Sequence, residues 1–360
     1  MGRRQLLTER MLAFEPAPEE GPNVYRNRLP LWQPIWARGL YGGAVIAQSL
    51  AVVQAAVPKG FIVHSMHCHF IRPAVNAKPI FYHVNKVREG KSVGVWSVDA
   101  RQSGNVVFSA TVSFARNTAA TKAKKQLQHQ SAPPSDVWAE GPPTEPEGPT
   151  DDKQTSATSQ TDSGSLMESV RLPRKDYEAS PATTRLFQWS RIRTVQDDSS
   201  NNNTSPSDGG VVAHLAALAY ISDAYFIGTT SRVHRAERFL GGSSVEEIKR
   251  SVDASTPLGK QTLLAFQKLA EEEREDNAHG SSPGTVGMMV TLSHSIFFHN
   301  ATEVRADEWL LVEAESPWAG EERGLVLQRV WTASGVLIAT CIQEGVVRLQ
   351  QDETQFKSKF

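Results

Sequence analysis

The 360-residue chain carries 38 Lys and Arg against 39 Asp and Glu, a formal net charge of -1, and 39% hydrophobic residues. This is the balance of a soluble protein with material for two cores, and evenly spread charge offers no counter-surface for nucleic acid or anionic lipid. The apolar runs are too short and broken to span a bilayer, and two distant cysteines without zinc or disulfide spacing suit a reducing compartment.

The first residues, MGRRQLLTERMLAF, lack the apolar stretch and small-residue cleavage site of a secretory signal, so none is expected. From Arg38 to Pro58 the chain reads RGLYGGAVIAQSLAVVQAAVP, with Gly42 and Gly43 in front of a run whose polar members are Gln48, Ser49 and Gln54. A helix apolar nearly all round is buried on most sides. The glycines match neither GxGxxG nor GxxxxGK[ST], and no βαβ pattern surrounds them, which excludes a nucleotide loop.

Strands follow. Val106, Phe108, Ala110, Val112 and Phe114 alternate with Val107, Ser109, Thr111 and Ser113, the period of a half-buried strand, and Gln102-Ser103-Gly104-Asn105 is a hairpin signal. His64, His67 and His69 invite a metal reading, but no carboxylate or cysteine set joins them, and they are expected to be core and sheet-surface residues.

Residues 117–182 turn polar and rich in Pro, Ser and Gly, the composition of a linker. Beyond it, Val211 to Ile227 (VVAHLAALAYISDAYFI) reads as a second buried helix. Asp223 would emerge from it among Ala219, Tyr220, Phe226 and Ile227, as a costly buried carboxylate with a task or as a helix-end group facing solvent near Gly228. Residues 233–284 look like an insertion or lid, with EEERED at 271–276 as a solvated helix face.

The remaining stretch repeats the first. VHSMHCHF parallels LSHSIFFH, so that His64-Ser65 corresponds to His294-Ser295, and the turn at Ser103-Gly104 corresponds to Ser334-Gly335. Gln343 ends an otherwise apolar strand face of Leu337, Ala339 and Cys341. Two copies of a buried helix followed by antiparallel strands give an α+β class, with repeats at 1–116 and 183–350 and a tail at 351–360.

The ordered blocks GLYGGAVIAQSL, VPKGFIVHSMHCHFIRP, AYISDAYF, TLSHSIFFHN, DEWLLVEAES and GVLIATCIQEGVVR resemble the acyl-CoA thioesterase II family. The resemblance implies a double hotdog, two sheet-wrapped helices side by side. It also implies hydrolysis of fatty acyl-CoA to free fatty acid and CoA by an activated water, without cofactor or metal. It places the catalytic roles on Asp223, Thr291 and Gln343, the last either binding the water or polarising the thioester carbonyl, and makes Gly42 and Gly43 part of the acyl-CoA pocket. One departure stands out: the family has Asp where this chain has Ser293, between Thr291 and His294. That loss keeps open a non-catalytic acyl-CoA-binding hotdog protein; a hotdog dehydratase, using a histidine from one half and Asp223 from the other, lacks its motifs here. Exposed sheet edges allow a homo-oligomer. The closing Ser358-Lys359-Phe360 is close to the S-K-L address read by the peroxisomal import receptor, so peroxisome or cytoplasm is expected.

Overall fold

The computed structural model describes residues 3–34, 37–116, 125, 127–144, 165–197, 210–239, 250 and 252–351. In chain order the strands are β1 (Arg3–Leu6), β2 (Phe14–Pro16), β3 (Val24–Asn27), β4 (Phe61–Phe70), β5 (Phe81–Glu89), β6 (Val93–Gln102), β7 (Asn105–Arg116), β8 (Met167–Arg171), β9 (Arg185–Ile192), β10 (Thr194–Asp197), β11 (Val286–Phe298), β12 (Leu310–Gly320), β13 (Arg323–Thr332) and β14 (Leu337–Leu349). The α-helices are α1 (Leu7–Met11), α2 (Gly42–Ala56), α3 (Ser135–Trp138), α4 (Gly210–Ile221), α5 (Gly228–Val233) and α6 (Pro257–Asn277).

Twelve strands form one antiparallel sheet in the order β2-β3-β5-β6-β7-β4-β11-β14-β13-β12-β9-β8. The first six belong to the first repeat and the last six to the second. The two meet where β4 pairs with β11, and Met66 lies directly opposite Ile296 there. With His64 equivalent to His294, Met66 is equivalent to Ile296, so the pairing sits on the local two-fold axis of the duplicated fold.

Each half curls around its apolar helix. Residues 43–50 of α2 are all buried, and the one long polar side chain among those eight is fully used: Gln48 accepts from the Tyr82 hydroxyl at 2.6 Å and donates to the Leu12 carbonyl at 3.0 Å. An amide in a core is tolerated on that condition. On β7, Phe108, Ala110, Val112 and Phe114 face the core as the alternation requires. The β6–β7 hairpin turns through Ser103 and Gly104, both with positive φ, which matches the right-handed twist of the strands. Helices α2 and α4 pack against each other across the axis.

Three expectations change. The segment read as a linker contributes to the second half: β8 is its edge strand, while Val137 and Trp138 of α3 cover Trp189, Leu311 and Trp331, whose indole donates to the Ser131 carbonyl at 3.0 Å. A few apolar residues in a polar run suffice because tryptophans on the sheet offer them a surface. The second buried helix stops at Ile221, and residues 222–227 form turns, with Tyr225 at φ +56. Asp223 therefore lies beyond the helix. The acidic run on α6 is not all solvated: Glu272 pairs with Arg171 and Asp276 with Arg232, each at 2.7 Å, and Glu273 accepts the backbone N–H groups of Arg238 and Phe239. These contacts hold α6 to the body, along with the Phe239–Phe266–Leu269 cluster. Among the described residues no helix is long and apolar enough to cross a membrane.

Candidate active site

The start of α2 and the turn after α4 come together at the junction of the halves. The Gly43 N–H donates to Asp223 Oδ2 at 2.9 Å, and Gln343 Nε2 donates to Asp223 Oδ1 at 2.7 Å. The carboxylate thus sits on the positive end of the first half's helix, where unpaired N–H groups and the helix dipole favour an anion. Neither glycine there can be replaced without movement. A Cβ on Gly42 would lie 2.8 Å from Asp223 Oδ2 and 2.9 Å from the Phe70 ring; one on Gly43 would lie 2.5 Å from the Tyr220 carbonyl and from the Tyr41 ring. The pair is a device for close approach between the two helices. Tyr41 reinforces it, donating its hydroxyl to the Tyr220 carbonyl at 2.9 Å and meeting the Tyr220 ring edge-on at 4.8 Å.

Burial pushes the Asp223 carboxyl up to about 6, while the N–H groups of Gln343 and Gly43 pull the other way. Such a group is ionised at neutral pH yet basic enough to take a proton. Cys68, the nearby sulfur, is pushed well above its ordinary range by burial and then by the Asp223 charge, so it stays a thiol. Burial and the same charge also hold the Tyr41 phenol protonated.

The structure brings Asp223, Gln343 and Gly43 into direct contact, with Gly42 alongside. Thr291 is placed differently. It pairs with Gly345 on β14, while Ser293 pairs with Glu344 and His294 with Gln343, so Leu292 is an extra residue in β11. Without that bulge Thr291 and His294, three apart, would face opposite sides of the sheet; with it both face inward beside Gln343. Among the described residues no hydrogen bond joins the Thr291 hydroxyl to Asp223 or Gln343. Ser293 faces the outer surface, opposite His69 and Glu344.

His294 was seen in the sequence only as a repeat marker. It is fully buried, with Nδ1 3.0 Å from Gln343 Nε2 and Nε2 3.0 Å from the Ser222 hydroxyl, and burial pushes its pKa down to about 3. Ser222 in turn donates to the Ala219 carbonyl at 2.9 Å. The signal available in the sequence was parity: two residues before Ile296 on one strand face, a histidine is expected in the core. The three histidines of the first repeat stay outside, His64, His67 and His69 being exposed and His67 bonded to Ser295 at 2.9 Å.

Known proteins are similar to this chain in sequence and fold. The family profile of the acyl-CoA thioesterase N-terminal domain matches residues 29–115 and that of the C-terminal domain residues 134–347. Acyl-coenzyme A thioesterase 8 of Rattus norvegicus is 30% identical, the match covering 96% of this chain and 90% of the relative. Acyl-CoA thioesterase 2 of Haemophilus influenzae is 26% identical over 89% of this chain and 91% of its own. The crystal structure of an acyl-CoA thioesterase II, TesB2, from Mycobacterium marinum superposes with a TM-score of 0.60 at 24% identity, covering 96% of this chain and 98% of the other, which carries the hotdog fold. Profiles for both halves, in order and spanning most of the chain, together with a 30% identical full-length relative, establish that this chain belongs to the acyl-CoA thioesterase family.

Proposed function

We propose that the protein hydrolyses fatty acyl-CoA thioesters to free acid and CoA, with Asp223 as the base for a directly attacking water. The carrying observation is the Asp223 carboxylate itself: buried, raised to about 6, and held between the α2 N-terminus and Gln343. The water oxygen adds to the thioester carbonyl as its proton passes to Asp223, and collapse breaks the C–S bond and releases CoA thiolate, which takes that proton. Donors at the start of α2 and the Thr291 hydroxyl are suited to the carbonyl oxygen as it gains charge. With Cys68 and Cys341 both held as thiols by burial, an acyl-enzyme is not required.

The test is CoA release across acyl chain lengths, read with a thiol reagent, for wild type and Asp223→Asn. Turnover that survives the substitution would remove Asp223 from the role of base, and binding without turnover would leave the non-catalytic reading. We also propose peroxisomal import through Ser358-Lys359-Phe360, which lie outside the described residues. The tail's similarity to S-K-L supports it, as does a Saccharomyces cerevisiae relative, 23% identical over 91% of this chain and 90% of its own, called peroxisomal acyl-coenzyme A thioester hydrolase 1. A reporter ending in these residues should enter peroxisomes and lose import when they are deleted.

A further inference from the structure

We propose that His294 is a positioning residue for this reaction, locking the Gln343 amide so that its oxygen, and not its nitrogen, meets the attacking water. The proposal rests on the reading of Asp223 and Gln343 as the water-handling pair. An ionised carboxylate only accepts hydrogen bonds, so the amide atom 2.7 Å from Asp223 Oδ1 must be the NH2 group. The same nitrogen lies 3.0 Å from His294 Nδ1, and its second hydrogen is directed there. His294 Nδ1 is then a bare acceptor, and the ring's one proton sits on Nε2, facing the Ser222 hydroxyl at 3.0 Å. Ser222 can accept it because its own hydrogen goes to the Ala219 carbonyl at 2.9 Å. Every donor in the chain from Gln343 to the last turn of α4 is assigned without a conflict.

The consequence falls on Gln343. Both of its N–H bonds are consumed, one by Asp223 and one by His294, and Oε1 is left buried with no hydrogen-bond partner among the described residues. A buried amide oxygen in that state is an acceptor awaiting a donor, and a water O–H is such a donor. The amide therefore cannot donate to the thioester oxyanion, which settles its role between the two alternatives: it orients the nucleophile. His294 performs this service only while neutral, and burial keeps it so. Cys341 on its neighbour strand β14 and Cys68 on β4 are both held as thiols by burial, the Phe226 ring meets it edge-on at 5.4 Å, and Asp223 reaches it through Gln343.

Side-chain 15N NMR on the whole enzyme tests the assignment directly. Above the Asp223 transition, His294, identified by the resonance lost in His294→Phe, should show the Nε2–H tautomer. The Nδ1–H tautomer would mean that the amide is reversed, and would overturn the proposal even if Asp223 proves to be the base. In His294→Phe the amide loses the acceptor that holds its second hydrogen and is free to swing away from Asp223. We expect kcat to fall by about 10- to 100-fold with KM little changed, and the acid limb of the rate profile to move up by about one pH unit because Asp223 loses a donor. Ser222→Ala, which keeps the ring but removes the Nε2–H acceptor, should move both in the same direction by less. A folded His294→Phe enzyme with wild-type kcat and an unmoved acid limb would reduce His294 to packing. The separate Asp223→Asn measurement tells failure of this proposal from failure of the base assignment.

Discussion

The paired helices α2 and α4 offer two ends built on the same plan, and among the described residues only one holds a buried carboxylate between a helix start and an amide. At the start of α2, Gly42 and Gly43 let the backbone close on Asp223 and Tyr220, and the facing strands supply Gln343 and His294. At the opposite end the chain leaves α2 through Val57-Pro58-Lys59-Gly60, and α4 begins at Gly210, where an added Cβ would meet nothing within 4 Å. The inner positions of β7, which corresponds to β14, are Ala110, Val112 and Phe114, all apolar. Duplication made the scaffold twice over. The helix dipole and the sheet are present at both ends, so what distinguishes the end proposed to work is a carboxylate brought within hydrogen-bond reach by missing side chains.

The sharpest way to break this contrast is to exchange charge at the two ends. Asp223→Asn should lower kcat by about a thousandfold, the scale of a lost general base. Lys59→Asp, which places a carboxylate at the other helix end, should leave CoA release unchanged, since no tight helix contact or amide partner surrounds it there. A rise in turnover with Lys59→Asp, or a second functional site by active-site titration, would show that the two ends are closer in chemistry than their residues suggest.

The glycines give the next largest effect. In Gly43→Ala the new methyl runs into the Tyr220 backbone carbonyl, which cannot swing aside as a side chain can. The start of α2 must shift away from Asp223, and a misplacement on the order of 1 Å costs about 100-fold in kcat/KM, with overpacking lowering stability by roughly 1–3 kcal/mol. Gly210→Ala puts a side chain at φ +65 in open space. It should cost about 1 kcal/mol in a denaturation midpoint and leave the rate alone.

Much of this was legible in the sequence, and what was not has physical reasons. The apolar run at 44–57 became α2, the repeat became the two-fold axis at Met66 and Ile296, and the turn at Ser103-Gly104 became a hairpin. The end of α4 was hidden because residues 222–227 contain no Gly or Pro, and Ala224, Phe226 and Ile227 continue the apolar run. The chain turns there by putting Tyr225 in a left-handed conformation, and Asp223 finds its partners in the other half. His294 was hidden for a related reason: its inward aim depends on the register between β11 and β14, and Thr291 joins it on that face only through the bulge at Leu292. Both are properties of pairing between strands that β12 and β13 separate in the chain, which a local pattern does not carry.

The rate profile sharpens the comparison by asking which buried group titrates. Asp223 must be ionised to accept a proton, so kcat/KM should fall tenfold for each unit below a midpoint near pH 6. His294 at about 3 is already neutral there and contributes no limb of its own. The sign is worth stating for stability too. A carboxyl raised in the folded state binds protons more tightly than in the unfolded chain. This group therefore weakens the fold as pH rises from the unfolded value toward 6, and the full penalty is present above it. An acid limb near pH 4, as for an exposed carboxylate, would contradict the burial of Asp223.

The smallest effect is expected where the chain departs from its family. Ser293→Asp restores the usual acid between Thr291 and His294, yet alternation puts that side chain on the outer surface, opposite His69 on one side and Glu344 on the other. The sheet lies between it and Asp223. A new carboxylate would stand directly across from Glu344, a like-charge pair costing about 0.2–1 kcal/mol. The midpoint of unfolding should therefore drop slightly, while kcat changes by less than about threefold, the range of an indirect field across the sheet. A tenfold gain in kcat instead would mean that the outer face of β11 communicates with the carboxylate at its inner face. The bulge at Leu292, where the strand twists most, would then be the place to look for the connection.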